Sequence, residues 1–298
     1  MKQDALSSLH PAVSMLYFAL VLGFSMFFAH PVCLAASLSC AISYGIYLKG
    51  RRAVRFNLLY MLPMLIITAL INPAFSHGGV TILAYLPSGN PLTLESILYG
   101  AAAAVTLITA ISWFMCFNEV MTSDKLVYLF GRIIPALSLI LSMALRFVPR
   151  FTAQIKVIAN AQRCLGRDVS RGSIISRARY GVKILSILIT WALENAIDTA
   201  DSMKNRGYGL PGRTAFSIFR FTRRDKQVLL FIAAAAGTIA CGAVFGRLRF
   251  SYIPITGGAP FDAVQLGLFA VYLALCAAPL FLNVKENVKW KAITRTLP

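Results

Sequence analysis

Charged residues are scarce in this 298-residue sequence, and acidic residues are the scarcest. Asp, Glu, Lys and Arg make up only 13% of the chain, roughly half of their share in a soluble domain. Hydrophobic residues make up 58%. A soluble protein of this size needs more polar residues to cover its surface. The composition therefore excludes an ordinary soluble domain and predicts an integral membrane protein.

The sequence also lacks the patterns of common catalytic and metal sites. It has no GxxxxGK[ST] loop for phosphate, no GxSxG or HExxH motif, and no carboxylate pair at membrane depth. No two of its six cysteines have CxxC spacing, and its three histidines are predicted on both sides of the membrane. These absences predict a chain that is not an enzyme and that binds no metal and no cofactor.

Long apolar runs are what the sequence has instead. Each run approaches the ~20 residues with which a helix crosses ~30 Å of hydrocarbon. The six runs cover residues 12–29, 32–48, 56–71, 97–117, 228–245 and 263–284. They predict an all-α integral membrane protein of about six transmembrane helices. Two shorter runs, 133–145 and 182–193, are more typical of interfacial segments. If both crossed, the count would be eight.

The basic residues predict the orientation of the chain. With both termini in the cytoplasm, 27 of the 29 Lys and Arg residues lie inside, and only Arg247 and Arg249 lie outside. The net charge of +18 is then explained by topology and by attraction to an anionic lipid membrane. Nucleic acid is therefore not an expected partner. We expect a multi-pass protein of a bacterial or archaeal cell membrane.

Charge also divides the chain into three parts. Residues 1–117 are predicted to form an N-terminal four-helix transmembrane part, 118–226 a cytoplasmic or interfacial coupling region, and 227–298 a C-terminal transmembrane hairpin with a tail. The coupling region is predicted to hold long amphipathic helices over about 149–165 and 183–205. Gly166 and Gly207 are plausible C-terminal caps for them, and an arginine lies close to each glycine.

Several short motifs, in their order and spacing, carry a family resemblance. They span most of the chain up to about residue 225. The motifs are Leu9-His10-Pro11, Asn72-Pro73-Ala74-Phe75 with Gly78-Gly79, the stretch 90–100, the block 122–150, and Ala200-Asp201-Ser202-Met203-Lys204-Asn205-Arg206-Gly207-Tyr208-Gly209. The chain resembles the T component, the transmembrane coupling subunit, of energy-coupling factor (ECF) transporters, a class of ABC importers.

The resemblance implies partners and docking residues. In this family, two cytoplasmic coupling helices each end in an Ala-Arg-Gly-type motif that docks on one of two ABC ATPase subunits, and a membrane S component binds the substrate. Vitamins and transition-metal ions are family substrates. The implied ATPase-docking residues are Arg163, Cys164, Leu165, Gly166, Arg167, Asn205, Arg206 and Gly207.

The sequence departs from the family pattern at three of the matched positions. Leu165 stands where the first motif has its arginine, Asn205 where the second has alanine, and Ser14 where lysine is common after the His-Pro start. For the first motif, the residues leave three alternatives open. Arg163 replaces the arginine, Arg167 replaces it, or the contact is apolar.

Two other functions fit the composition. An autonomous secondary transporter would purify alone and would place ionisable groups or broken helices at the membrane midplane. A stand-alone membrane scaffold would show no ATP-linked transport with any partner. A T component would purify together with two ATPases and a small membrane protein.

The orientation can be tested by cysteine labelling. In a variant without the native cysteines, we expect an impermeant reagent added outside to label Ser88→Cys. It should spare Ser173→Cys, since residues 118–226 are predicted to be cytoplasmic. Strong labelling at position 173 in sealed cells would contradict the orientation.

Overall fold

The structure is a computed structural model that describes residues 4–75, 78–85, 91–170, 172–211, 219–258 and 262–296. Position 88, considered above, lies outside these ranges. The chain divides into two compact units. Unit 1 comprises Met1–Lys125 and Phe219–Pro298, and unit 2 comprises Leu126–Ile218.

Unit 1 is built from helices and two short hairpins. A π-helical turn over Asn57–Met61 joins the third and fourth helices. Strand Ile82–Tyr85 pairs with Pro91–Thr93, and Phe250–Ser251 pairs with Gly257–Gly258, both antiparallel. In chain order, the elements are α1 (Pro11–Phe27), α2 (Pro31–Lys49), α3 (Arg51–Phe56), α4 (Leu62–Phe75), β1 (Ile82–Tyr85), β2 (Pro91–Thr93) and α5 (Leu94–Val120). After unit 2 follow α9 (Arg223–Val244), β3 (Phe250–Ser251), β4 (Gly257–Gly258) and α10 (Ala263–Thr296).

Unit 2 contains two long helices. After α6 (Ser123–Ile133), which begins at the end of unit 1, α7 runs over Pro135–Cys164 and α8 over Ile174–Asn205. The predicted start of the first helix near residue 149 is wrong, because the apolar run 133–145 belongs to the same helix and Pro149 lies inside it. The second helix starts at residue 174, not near 183, since Ser173 caps it by accepting a hydrogen bond from the Ser176 N–H.

The predicted all-α membrane architecture is confirmed. Among the described residues, six helices are long and apolar enough to cross a membrane: Pro31–Lys49, Arg51–Phe75, Leu94–Val120, Ile174–Asn205, Arg223–Val244 and Ala263–Trp290. Five of them coincide with predicted spans. The predicted first span forms α1, a shorter apolar helix of 17 residues. The sixth is α8, which contains the run 182–193 that had left the count open.

Histidine-proline pairs start the first two helices. Proline occupies the first helical position of both α1 and α2, where no partner for its missing N–H is needed. The preceding His10 and His30 act as N-caps, since the Nδ1 atom of each accepts a hydrogen bond from the N–H two residues later. The Leu9-His10-Pro11 motif is thus explained by helix capping.

An aromatic cluster holds α1, α2, α5 and α10 together. Trp113 is fully buried, and its Nε1–H donates to Ser37 Oγ at 2.9 Å. The rings of Tyr17 and Tyr44 lie 6.2 and 6.5 Å from the Trp113 ring. The Tyr17 hydroxyl donates to the Cys276 carbonyl at 3.3 Å. Each buried polar atom of these rings thus has a partner, as a low-dielectric interior requires.

Gly100 lets α5 approach α4 closely. A Cβ atom at this position would lie 2.7 Å from the Ala69 carbonyl oxygen and 3.0 Å from the Asn72 Cβ atom. Four residues later Ala104 is fully buried. Small residues therefore serve packing between two helices of the same chain here, one of the uses expected for such residues in membranes.

Two matched glycine substitutions test this packing. We expect Gly100→Ala to destabilise the purified chain by about 1–3 kcal/mol, because backbone must move to admit the methyl group. Gly23→Ala is the control, since Gly23 lies within α1 and a Cβ there would meet nothing within 4 Å. It should be neutral, or stabilising by about 0.5–1 kcal/mol. Equal thermal unfolding of the two variants in detergent would contradict the close approach.

Candidate partner-docking site

The end of α7 is closed by a Schellman motif. The Arg167 N–H donates to the Gln162 carbonyl at 2.9 Å, and the Gly166 N–H to the Arg163 carbonyl at 3.0 Å. Leu165 is the C-cap, and Gly166 follows it at φ +77°. Glycine adopts this left-handed conformation without the steric cost of a Cβ atom. The predicted capping role of Gly166 is therefore confirmed.

The end of α8 repeats the same motif. The Tyr208 N–H donates to the Met203 carbonyl at 3.0 Å, and the Gly207 N–H to the Lys204 carbonyl at 3.0 Å. The C-cap Arg206 has φ −86° and ψ 11°, against −87° and 11° for Leu165. Gly207 has the same φ of +77° as Gly166. The two helix ends thus present their backbones in the same way.

The shared backbone fixes which side chains correspond. Leu165 occupies the position of Arg206, Arg163 that of Lys204, and Arg167 that of Tyr208. Neither arginine near the first helix end therefore stands at the C-cap position. Arg163, two residues before Leu165, leaves the helix in another direction, since successive positions are about 100° apart around the axis. Arg167 follows the left-handed Gly166 and lies outside the helix. Arg163 or Arg167 would therefore have to reach a partner from a different position than Arg206 does.

Arg163 is held within its own loop. Its Nε–H donates to Asp168 Oδ2 at 3.1 Å, and Asp168 also accepts hydrogen bonds from the backbone and side chain of Ser170. The two Ser170 bonds, with help from Arg163, lower the pKa of the Asp168 carboxyl to about 2. Asp168 is therefore ionised at neutral pH and holds Arg163. No such ion pair links Arg167 to any residue that the structure describes.

A cleft of about 700 Å³ lies beside the first helix end. Its polar wall comes from the loop and from the first turns of α8, where the Arg177 Nε–H donates to the Val169 carbonyl at 2.8 Å and holds the loop. Its lining residues are Arg163, Gly166, Asp168, Gly172, Ser176 and Tyr180.

Apolar side chains are exposed beside both helix ends. Leu165 is 68% exposed, and Ile174 and Ile175 at the start of α8 are more exposed still. Beyond the second helix end, Leu210 and Tyr208 are exposed. A Cβ atom at Gly207 would lie 3.1 Å from Leu210 Cδ1, so Leu210 folds back over the glycine. Each end thus joins basic side chains to an exposed apolar one, a mixture typical of a binding surface.

Aromatic side chains hold α7 and α8 against each other. The rings of Phe151 and Trp191 lie 5.8 Å apart, edge to face, and Arg150 Cζ lies 5.7 Å from the Trp191 ring. From this contact to the C-cap there are 14 residues in α7 and 15 in α8, or about 21 and 22 Å at 1.5 Å per residue. Both candidate ends therefore lie at the tips of arms of nearly equal length.

In the part of the chain that the structure describes, the buried Asp, Glu, His and Lys side chains lie near helix ends or in the turn before α1. They are Asp4, His10, His30, Glu95, Lys125 and Asp225. Within the same part, no group of three or more His, Cys, Asp or Glu residues is placed to hold a metal ion. The middles of the spanning helices therefore carry packing rather than charge.

Sequence reasoning identified both helix ends but missed the loop that follows the first. Asp168 and Ser170 form a side-chain-to-backbone turn that holds Arg163. An Asp followed two residues later by Ser is a recognisable turn signal. Which nearby cation Asp168 binds depends on the loop backbone, and the spacing of the residues does not indicate it.

Comparison with known proteins places the chain in a family. The model of the family CbiQ, described as cobalt transport protein, matches residues 3–217. Curated relatives described as energy-coupling factor transporter transmembrane protein EcfT are also similar. The protein of Lactobacillus helveticus is 36% identical over 104 residues, which cover 35% of this chain and 38% of that protein.

Longer alignments exist at lower identity. The EcfT protein of Bacillus selenitireducens is 26% identical over 214 residues, covering 68% of this chain and 77% of that protein. The EcfT protein of Listeria innocua is 25% identical over 230 residues, covering 73% and 82%. In contrast, the chain spans less than half the length of the relatives to which it is 36–40% identical.

The family match covers well over half of the 298 residues, and the apolar helices fit a multi-pass membrane protein. This chain therefore belongs to the CbiQ family, the EcfT-like transmembrane components of energy-coupling factor transporters.

Proposed function

We propose that this protein is the non-catalytic coupling subunit of an ATP-driven importer. Two cytoplasmic ABC ATPase subunits dock at the ends of α7 and α8, and an S component in the membrane binds the substrate, a vitamin or a metal ion. Closure of the ATPases moves the two helix ends, and the helices carry that motion to the S component. Both termini and the docking ends lie in the cytoplasm.

The matching ends of α7 and α8 carry this proposal. Two helices that finish in the same Schellman motif, with nearly equal dihedral angles at the C-cap, offer the same backbone geometry to two related partners. Capping alone explains the glycines. It does not explain why the C-cap side chain, Leu165 in α7 and Arg206 in α8, is exposed at both ends.

The register of α7 against α8 supports two separate partners. From the Phe151–Trp191 contact, Ile158 lies seven residues forward along α7 and Ile184 seven residues back along α8, and both are buried. This is the pattern of antiparallel helices. Arms that leave one contact in opposite directions separate the two ends by about 40 Å, which gives each end room for its own protein.

An uncovered apolar stripe on α8 supports a membrane or S-component contact. Four exposed side chains recur at four-residue steps and therefore share one helix face. They are Leu185, Ile189, Leu193 and Ile197. Glu194, Asp198 and Asp201 lie on an adjacent stripe and are also exposed. A helix with these two faces fits between apolar and aqueous surroundings.

The first docking end differs from the second in chemistry. Arg163 is bound to Asp168, whereas Leu165 is exposed at the position that corresponds to Arg206. Of the three alternatives left by the sequence, these observations favour an apolar contact through Leu165, with Arg167 adjacent to it. The two ends would then discriminate between two non-identical ATPase subunits.

The arginine of the second end gives a sharp test. We expect Arg206→Ala to reduce ATPase recovery in a pull-down strongly while leaving the fold intact. An exposed arginine adds only about 0.3–1 kcal/mol to its helix. Removing it from a buried charged contact costs on the order of 2–5 kcal/mol. Lys204→Ala, two residues earlier on the same helix, is the control. Full ATPase recovery with Arg206→Ala would mean that Arg206 serves only as a helix cap.

The first end is tested by a change of polarity. We expect Leu165→Asp to weaken ATPase binding, because it removes an apolar contact of about 1.5–3 kcal/mol and buries a charge. Ile255→Asp is the control, since Ile255 is an equally exposed aliphatic side chain in the predicted outer loop. If Leu165→Asp binds normally while Arg163→Ala or Arg167→Ala does not, the contact is ionic.

A further inference from the structure

The segment Asp4–His10, called the N-terminal segment below, is fixed inside unit 1. Ala5, Leu6 and Leu9 are almost fully buried. The Ala5 N–H donates to Asn283 Oδ1 at 2.8 Å, and Asn283 Nδ2–H donates to Asp4 Oδ1 at 2.6 Å. The Tyr44 hydroxyl donates to Asp4 Oδ2 at 2.9 Å. Helices α2 and α10 therefore both hold this segment in place.

The N-terminal segment binds the residue at which the chain leaves unit 1. Lys125 is the last residue before unit 2 and is only 6% exposed. Its ammonium donates to the Ser7 carbonyl at 2.7 Å, Ser7 Oγ at 2.8 Å and the Val120 carbonyl at 2.8 Å. These three bonds use all the protons of the group. Burial lowers the pKa of the ammonium, and the charge of Asp4 opposes that shift.

The same segment binds the chain where it returns from unit 2. Asp225 is 2% exposed, and its Oδ1 accepts a hydrogen bond from the His10 N–H at 2.9 Å. Its Oδ2 accepts from the N–H and the hydroxyl of Thr222, each at 2.7 Å. The Phe221 ring lies 5.0 Å from the His10 ring. A capping box explains the Thr222 bonds, but the bond to His10 links residues 215 positions apart.

Both connections to unit 2 thus end on seven consecutive residues that are held by two other helices. Lys125 bonds to Ser7 beyond its own helix, and Asp225 bonds to His10 beyond its capping box. A buried charge is costly unless it is fully hydrogen-bonded. We propose that the N-terminal segment is a shared anchor that fixes the entry and exit points of unit 2, with Lys125 and Asp225 as positioning residues. The role of this anchor in transport rests on the proposed function. A displacement applied at the helix ends then turns unit 2 about fixed points and is not absorbed by slack connections.

The anchor can be tested on the full chain without partner or substrate. Spin labels are placed at Asp198→Cys in unit 2 and Val288→Cys in unit 1, both exposed, in a variant without native cysteines. Pulsed EPR then gives the distribution of label-to-label distances. We expect Lys125→Met and Asp225→Asn each to widen this distribution about twofold, because they free a connection between units.

Lys49→Met is the matched control for Lys125→Met. Lys49 is also predicted to lie on the cytoplasmic side, and its ammonium pairs with Glu119 at 3.1 Å. Within the described residues it makes no hydrogen bond or ion pair to the N-terminal segment. It should leave the distribution unchanged. Ser7→Ala removes one of the three acceptors of Lys125 and should widen the distribution to a smaller extent. If Lys125→Met does not fold, Ser7→Ala is used to test the anchor in its place.

The outcomes separate the anchor from the proposed function. Unchanged distributions in Lys125→Met, Asp225→Asn and Ser7→Ala would overturn the anchor, and so would equal widening by Lys49→Met. Failure of the unmutated chain to recover ATPases would overturn the proposed function and would leave the EPR result to decide the anchor. If both stand, the anchor variants should retain ATPase recovery while the shift in mean distance on adding a non-hydrolysable ATP analogue falls severalfold.

Discussion

The cost of removing charge from water determines where each ionisable side chain of this protein lies. A buried charge is stable only where hydrogen bonds or an opposite charge compensate it. In the described part of the chain, the buried Asp, Glu, His and Lys residues lie near helix ends or in the turn before α1, where open backbone groups and polar turns supply those partners. Lys125, with three oxygen acceptors, and Asp225, with three donors, show this compensation in full. Because of the same cost, the helices are joined between their ends by packing of uncharged residues, as at Gly100 and Trp113.

This constraint also explains which parts of the fold could be predicted from the sequence. Charge-free runs indicated five of the six helices that are long and apolar enough to cross a membrane, because lipid admits few other sequences. Helix α8 was harder, since Arg177, Arg179 and Lys183 lie in its first turns and suggested a later start. Long basic side chains can extend to an interface while their helix continues, so a charge does not end a helix. Ser173 was the local signal for the true start.

The candidate site was predictable in its backbone but not in its contacts. A glycine after a basic amphipathic stretch indicates a left-handed C-cap, and both Gly166 and Gly207 adopt it. The equivalence of Leu165 and Arg206 follows from spacing to the glycine alone. The bond of Arg163 to Asp168 required the loop conformation, because several cations lie within reach in sequence. The polar network of the N-terminal segment was missed, since its partners lie from 40 to 279 positions apart in the sequence.

The long helices of unit 2 have one weak point, and aromatic contacts lie beside it. Pro149 lies inside α7, where it removes one backbone hydrogen bond and favours a bend. The rings of Phe147 and Phe151 stack across it at 5.8 Å, and Trp191 of α8 packs on Phe151. A bend that opens this face of α7 would separate the two stacked rings. The contact between α7 and α8 therefore both joins the helices and stiffens α7 where it is weakest. A helix that resists bending there passes a displacement at its tip to its contact with α8.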